Sequence, residues 1–375
     1  MISSDTIWSQ SGGGSYDAQL PGGRFRFELD REDLPFREIC DVAIRNNPKR
    51  RFLFVSRVLG RHWPVRPAIL RDVAGRLAEK AAARTGGEPT IFIGMAETAT
   101  TLGQAVFREW CARGLEGFYI ESTRRPTGGP VAFAFSEPHS HATEHLIHLP
   151  DGGSDPGNCF ATARHVVIVD DEVTTGTTAV GLIRALRAWR PQKPFKASLV
   201  VIVRWKSEGR TPRELEGIDS LTVGTFEFVP DDEFPGVTQP NPIGDIAVKV
   251  RRGPRHGGSE TETLPERWHP TAQAGERILV IGNGEHGFRP LLLAEAIDAC
   301  GAIAWAQAST RSPILPGGAI GHVRQFPALS GESHTEYLYN VPFDHDYDRV
   351  ILCTEDRPPP MDHPIWSIPN LTVYA

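Results

Sequence analysis

The chain has 375 residues, 40% hydrophobic and 23% charged, with a formal net charge of −6. That length exceeds one ordinary core and predicts a soluble globular protein of two or three domains. The negative balance argues against a general nucleic-acid binder, and no apolar run reaches the ~18–20 residues of a membrane span.

The N-terminal stretch "MISSDTIWSQSGGGSYD" lacks the basic region and apolar run of a secretory signal. Residues 1–23 are rich in Ser and Gly and are expected to be flexible, ahead of a first domain over 24–230. "RFRFELD" (24–30) alternates like a strand, and "RRFLFVSRVLG" (50–60) contains another. "PAILRDVAGRLAEKAAARTGG" (67–87) opens with Pro, keeps helical spacing and stops at Gly-Gly, which predicts a helix. A rhythm of strand, loop and helix follows: "TIFIGM" (90–95), "TLGQAVFREWCARG", "GFYIEST" (117–123), "HVVIVDD" (165–171), "TAVGLIRALRAW", "KASLVVIVRW" (196–205) and "LTVGTFEFV" (221–229). Unbroken Val/Ile runs alternating with helices predict an α/β fold whose parallel sheet has helices on both faces. Residues 231–275 turn rich in Pro, Gly and charge and read as a linker or arm. The rhythm resumes in a second domain over 276–375, with "RILVIGNG", "RPLLLAEAIDACG", "AIAWAQAST" and "YDRVILCTED". Cys40, Cys111, Cys159, Cys300 and Cys353 are scattered without a C-x-x-C pair, which fits free thiols in a reducing cytoplasm.

The most specific stretch is "VVIVDDEVTTGTT" (166–178). It puts adjacent carboxylates at the end of a buried strand, followed by a Thr/Gly-rich turn and a helix. Such a turn offers backbone N–H donors and hydroxyls that suit a phosphate, and Gly176 lets the backbone approach closely. Asp170 and Asp171 would repel that phosphate at close range. They make sense a little further off, on ribose hydroxyls or a divalent metal. A Walker-type loop is excluded, because no Gly-Lys-Ser/Thr is present.

This segment closely resembles the phosphoribosyl-pyrophosphate (PRPP) loop of type I phosphoribosyltransferases. The resemblance implies that Asp170 and Asp171 hold the ribose hydroxyls and are the metal-side carboxylates. Thr174, Thr175, Gly176, Thr177 and Thr178 would cradle the 5′-phosphate, with Mg2+ riding on the pyrophosphate. Purine-salvage members often have an acid where this chain has Thr174, whereas orotate-type members lack it. Orotate-like chemistry is therefore expected rather than a 6-oxopurine substrate.

The same resemblance assigns the loop "GMAETATTLG" (94–103), with Ala96, Glu97 and Thr98, to pyrophosphate. Glu97 would repel pyrophosphate unless a metal or arginine intervened. Arg124 and Arg125 of "ESTRRP" are the expected pyrophosphate cations, because a guanidinium fork matches phosphate geometry. Residues 126–164 fill the interval of a loop that closes over the reaction centre, with Ser140 and His141 as its expected catalytic participants beside Arg124. His139, His141, His145 and His148 are irregularly spaced and lack a cysteine, so a closing loop is a better reading than a metal site. As pyrophosphate leaves, charge develops on both fragments, which calls for Mg2+, arginines and amide donors.

Gly282, Gly284 and Gly287 form a G-x-G-x-x-G, yet the next strand ends without the acid that would grip an adenosine ribose. An internal echo explains the second half better. "IFIGMAETATTLGQAV" resembles "LVIGNGEHGFRPLLLAEA", with Glu97 matching Glu285; "ESTRRP" matches "ASTRSP"; "SHATEHLIHLP" matches "SHTEYLYNVP"; and "HVVIVDDE" matches "RVILCTED". Four echoes in one order imply a duplicated unit. The second copy lacks the Thr-Gly-x-Thr turn, so it is expected to be a smaller, degenerate α/β domain. Glu285, Ser309, Thr310, Arg311 and His334 are its anion candidates, for a ligand other than PRPP. Taken whole, residues 25–375 resemble a phosphoribosyltransferase-like domain joined to a C-terminal domain named for its Thr-Arg-Ser-Pro motif, a type associated with bacterial tellurium-resistance-type biosynthetic clusters. That implies a cytoplasmic enzyme making a nucleoside-like metabolite from PRPP and a base-like acceptor, with a homodimer as candidate assembly and no nucleic-acid or membrane partner. A PRPP- or nucleotide-sensing protein, and pyrophosphorolysis in reverse, are the alternatives. The acceptor pocket is expected from "FVSRVLGRHWPV" (54–65), Trp205 and the 221–240 region.

Overall fold

The computed structural model describes residues 6–45, 47, 50–125, 127, 129–136, 144–149, 163–206, 211–231, 257–329, 331–355 and 357–375. Its large sheet has the order β1 (Ile7–Gly12), β2 (Ser15–Leu20), β3 (Gly23–Glu32), β12 (Gly217–Pro230), β11 (Lys196–Trp205), β10 (His165–Val173), β6 (Thr90–Gly94) and β7 (Gly117–Glu121). From β12 to β7 all pairings are parallel, as the Val/Ile runs predict. Helices α2 (Pro67–Thr85) and α3 (Thr100–Cys111) pack together against this sheet. The crossover through α3 runs the opposite way along the sheet from the one through α4 (Thr177–Trp189), so right-handed connections place these two helices on opposite faces.

The N-terminus departs from expectation. Residues 7–20 are not loose but form the β1–β2 hairpin, with Tyr16, Ala18 and Leu20 facing the core. The Gly-rich "SGGGS" is the turn of that hairpin, where Gly14 takes φ 85°. A Cβ at Gly14 would lie 2.9 Å from the Leu29 carbonyl oxygen, so a run that looks like low complexity is a conformational requirement.

A small antiparallel sheet joins the two halves of the chain: β15 (Ile314–Gly318), β4 (Cys40–Arg45) and β5 (Phe52–Ser56). Phe52 and Phe54 of β5 pack against Phe25, Phe226 and Trp205 of the large sheet, with ring centroids 4.8–5.8 Å apart. This aromatic cluster seats the small sheet over one end of the large one.

The second unit has its own parallel sheet, in the order β14 (Ile303–Ala308), β13 (Arg277–Gly282), β18 (Arg349–Cys353), β19 (Leu371–Tyr374). Helix α5 (Phe288–Ala299) crosses from β13 to β14. The order β14-β13-β18 repeats β7-β6-β10, with hairpins β8 (Val131–Ser136)/β9 (Glu144–His148) and β16 (Val323–Pro327)/β17 (Thr335–Tyr339) in matching places. The echoes coincide bond by bond. Ser122 N–H donates to the Gly94 carbonyl at 2.9 Å, and Ser309 N–H to the Gly282 carbonyl at 3.0 Å. Thr123 bridges Leu146, and Thr310 bridges Tyr337. The Ser122 hydroxyl accepts from Ala96 N–H, and the Ser309 hydroxyl from Gly284 N–H, each at 2.9 Å. Shared α/β rhythm would explain the strands but not these side-chain bonds.

One apolar core runs through both units, taking in Ile93 and Val169 of the first and Val280 and Leu291 of the second. Cys40, Cys111, Cys300 and Cys353 are free thiols, and Cys159 lies outside the described residues. Among the described residues no helix is long and apolar enough to cross a membrane.

Candidate functional site

A cleft of about 280 Å3 opens beyond the C-terminal ends of β6 and β10, where parallel sheets place ligands. Asp170 and Asp171 line it, both half-buried. Asp171 N–H donates to Asp170 Oδ1 at 3.0 Å, and Thr98 Oγ1 donates to Asp171 Oδ1 at 3.1 Å. Thr174 to Thr178 form the next wall. Gly176, at φ 73°, caps α4 in a left-handed conformation that favours glycine. The N-terminus of α4, with Thr177 and Thr178, thus lies at the cleft, an arrangement suited to phosphate; Thr177 N–H donates to Thr175 Oγ1 at 3.4 Å.

Ala96, Glu97 and Thr98 line the adjacent wall, and the Ala96–Glu97 peptide is cis. The Glu97 carboxylate meets the arginine that electrostatics demanded, but from an unexpected source. Arg61 Nη1 lies 3.7 Å from Glu97 Oε1, and Arg311 N–H donates to the same oxygen at 3.2 Å. Arg61 is 2% exposed and also donates to the carbonyls of Gly284, Ser309 and Glu97, at 2.5, 2.7 and 2.6 Å. It ties together the loops after β6, β13 and β14. Sequence reasoning placed it only in a pocket-forming stretch.

Arg124 lines the cleft, with its Nη2 3.5 Å from the Ala96 carbonyl oxygen. Arg125 does not. It is buried, donates to Glu332 Oε1 at 2.8 Å and lies 4.0 Å from Glu355, so its charge is spent inside the protein. Ser140 and His141 lie outside the described residues, as does His139. His145 lines the cleft, where its Nδ1 meets Ser122 Oγ at 3.0 Å; His148 bonds the Gly129 carbonyl at 3.1 Å.

The anion candidates of the second unit divide between the cleft and the core behind it. Thr310, Arg311 and His334 line the same cleft as the Asp170–Thr178 loop, while Glu285 and Ser309 are buried behind it. Arg311 Nη2 donates to Glu332 Oε2 at 3.1 Å, and His334 Nδ1 lies 3.1 Å from that oxygen. Burial opposes charge on Glu332, yet the His334 hydrogen bond and the Arg125 and Arg311 charges hold its carboxyl down at about 2. Burial likewise pushes His334 down, and its bonds to Glu332 and Glu336 outweigh that and raise it. The G-x-G-x-x-G turn is filled from within: Arg61 takes the Gly284 carbonyl, and Thr100 Oγ1 donates to the Glu285 carbonyl at 3.1 Å.

The remaining wall comes from Arg45, Arg50, Leu53 and His62. Arg45 and Arg50 carried no sequence signal. Arg50 donates to Glu172 Oε1 at 2.9 Å, and Trp205 Nε1 to Glu172 Oε2 at 3.3 Å. Burial raises the Glu172 carboxyl, against the Arg50 charge. Trp205 is 1% exposed and serves as packing rather than as a pocket wall. Burial, then the Arg61 and Arg45 charges, pushes His62 down to about 3, so it is neutral in the folded chain. With a folded value depressed below 6.5, its contribution to stability is complete above 6.5 and is lost as pH falls toward 3. Thermal melts should show that acid arm, and His62→Asn should flatten it; an unchanged slope would mean that other groups carry it.

Among the described residues no group of three or more His, Cys, Asp or Glu side chains could hold a metal alone. Two half-buried carboxylates at a phosphate loop nevertheless suit Mg2+, which keeps waters and takes substrate phosphate oxygens in preference to an all-protein cage.

A parallel sheet with a cleft at its strand ends is joined by a match that gives the class of the first domain, a phosphoribosyl transferase. Residues 39–223 match the family model described as "Phosphoribosyl transferase", and residues 258–363 match that of the "TRSP domain C terminus to PRTase_2". Along the chain a phosphoribosyl transferase domain is thus followed by a TRSP domain. No curated protein matches the chain. Solved structures similar to it include hypoxanthine phosphoribosyltransferases of Trypanosoma cruzi. One, in a ternary substrates complex, shares 15% identity over 41% of this chain and 77% of its own, at a TM-score of 0.27. Another, with the product IMP, shares 16% identity over 41% and 73%, at 0.26.

Proposed function

We propose that the chain transfers the 5-phosphoribosyl group of PRPP to a base-like acceptor by orotate-like chemistry, in cytoplasmic synthesis of a nucleoside-like metabolite. The observation that carries this is the convergence of Asp170–Thr178, Ala96–Thr98 and Arg124 on one cleft. Asp170 and Asp171 take the ribose hydroxyls, and Thr174 to Thr178 take the 5′-phosphate. The backbone of the Ala96–Thr98 loop and the Arg124 fork take the pyrophosphate. The bond from the anomeric carbon to pyrophosphate breaks with its electron pair leaving on oxygen, and a ring nitrogen of the acceptor supplies the pair for the new bond as its N–H proton passes to solvent. Asp170 and Asp171 would hold Mg2+ together with the substrate's phosphates, and the ion would supply positive charge to the leaving group. Arg45 and Arg50 also line the cleft, Arg50 paired with Glu172, and cations there favour an acceptor with an anionic substituent.

The test is a panel of bases with the full chain, PRPP and Mg2+, following pyrophosphate release. Release is expected with a carboxylated pyrimidine-type base. Release with hypoxanthine or guanine in preference would overturn the orotate-like reading. PRPP binding with no release for any base would point to the sensing alternative.

A further inference from the structure

The two units face each other through reciprocal bonds. Glu285 of the second accepts from Thr123 Oγ1 at 2.5 Å and from Arg124 N–H at 2.9 Å, while Glu97 of the first accepts from Arg311 N–H. Helices α3 and α5 pack across the same junction, where Arg108 makes a two-pronged pair with Glu295, both bonds 2.8 Å. Residue i of one copy touching j of the other, and j touching i, is what a two-fold interface produces. The chain therefore carries within itself the arrangement of a symmetric dimer of duplicated units. Only one copy keeps a ribose-phosphate loop, so the pair has one phosphoribosyl cleft and two arginine turns. Both turns open into that cleft, Arg124 from the first copy and Arg311 from the second.

We infer that Arg311 is a catalytic residue of the first unit's reaction, binding the departing pyrophosphate of PRPP together with Arg124. This rests on the PRPP reading above. Three features fit Arg311 for the role. It lies on the cleft wall beside the Ala96–Thr98 loop, because its own backbone N–H is bonded to Glu97. Its guanidinium is oriented by Glu332, which Arg125 and His334 hold in place from behind. A fork fixed before the substrate arrives loses little freedom on binding phosphate. Thr310 lines the same cleft, and its hydroxyl accepts from Ser312 N–H at 3.2 Å, which fixes the turn that carries Arg311. The second unit is thus the in-chain counterpart of a partner subunit, retained for its arginine turn after losing the phosphate loop. Breaking the anomeric bond leaves negative charge on the pyrophosphate oxygens, and cations from both copies meet it there.

The experiment titrates full-length wild type, Arg311→Gln, Arg311→Lys and Arg124→Ala with PRPP, pyrophosphate and ribose 5-phosphate in Mg2+. Arg311→Gln should weaken PRPP and pyrophosphate about 10- to 100-fold, the range of a hydrogen bond to a charged group, and leave ribose 5-phosphate within about two-fold. Arg311→Lys keeps the charge beside Glu332 and so protects the fold; it should recover only part of the loss, because it lacks the fork. Arg124→Ala should show the same selectivity. Wild-type affinity for pyrophosphate in both Arg311 variants would overturn the inference, as would equal losses for pyrophosphate and ribose 5-phosphate in Arg311→Lys. A wild type that binds no PRPP would instead overturn the function on which the inference rests.

Discussion

Arg61→Ala is expected to destabilise the chain by about 3–5 kcal/mol, the cost of removing one partner from a buried ionic cluster. The side chain is 2% exposed and serves the Gly284, Ser309 and Glu97 carbonyls as well as the Glu97 carboxylate. Without it, three strand-end loops from two units lose their common donor, and the half-buried Glu97 carboxylate loses its countercharge. Burial lowers the Arg61 guanidinium, opposed by Glu97 and Glu285, but no ordinary pH discharges it. Arg61→Lys should recover only part of the loss, because an ammonium cannot reach three carbonyls in that plane. Denaturant unfolding checks this. A loss under about 1 kcal/mol, the range of an exposed ion pair, would mean that Arg61 is not the tie between the units.

Asp170→Asn combined with Asp171→Asn is expected to leave the fold in place and weaken PRPP at least about 100-fold. Two carboxylates accepting from ribose hydroxyls or metal-bound water contribute about 1.5–3 kcal/mol for each charged hydrogen bond, and asparagine keeps the shape while removing the charge. The fold should survive because both residues are half-buried, and the Thr98 hydroxyl can still donate to an amide oxygen at 171. Calorimetric titration with PRPP in Mg2+ reads the effect. Affinity like that of the wild type would remove this pair from the site.

Legibility in the sequence followed locality. The local structure of Asp170 to Thr178 was readable because it is one consecutive run, and strand, turn and helix each left a mark in it. The parallel strands were readable from unbroken Val/Ile runs, and α2 from Pro67 and the Gly86 that ends it at φ 63°. The β1–β2 hairpin was not, because Gly13 and Gly14 have the composition of a loose tail; only the alternation of Tyr16, Ala18 and Leu20 marks a strand. The duplication was readable from the Ser-Thr-Arg-x-Pro and Glu echoes, but its consequence was not. Nothing in "ASTRSP" says that Arg311 faces the first unit's cleft, since reciprocal bonds between Glu285 and Thr123 and between Glu97 and Arg311 join residues far apart in the chain. Arg125 shows the converse. In sequence it is the twin of Arg124, yet at the bend after β7 its side chain is buried against Glu332.

The most direct test of a single cleft built by both units is calorimetric titration of the full chain with PRPP in Mg2+. The account predicts saturable binding at one site per chain, tighter than ribose 5-phosphate or pyrophosphate alone. No binding, or two independent sites per chain, would contradict it.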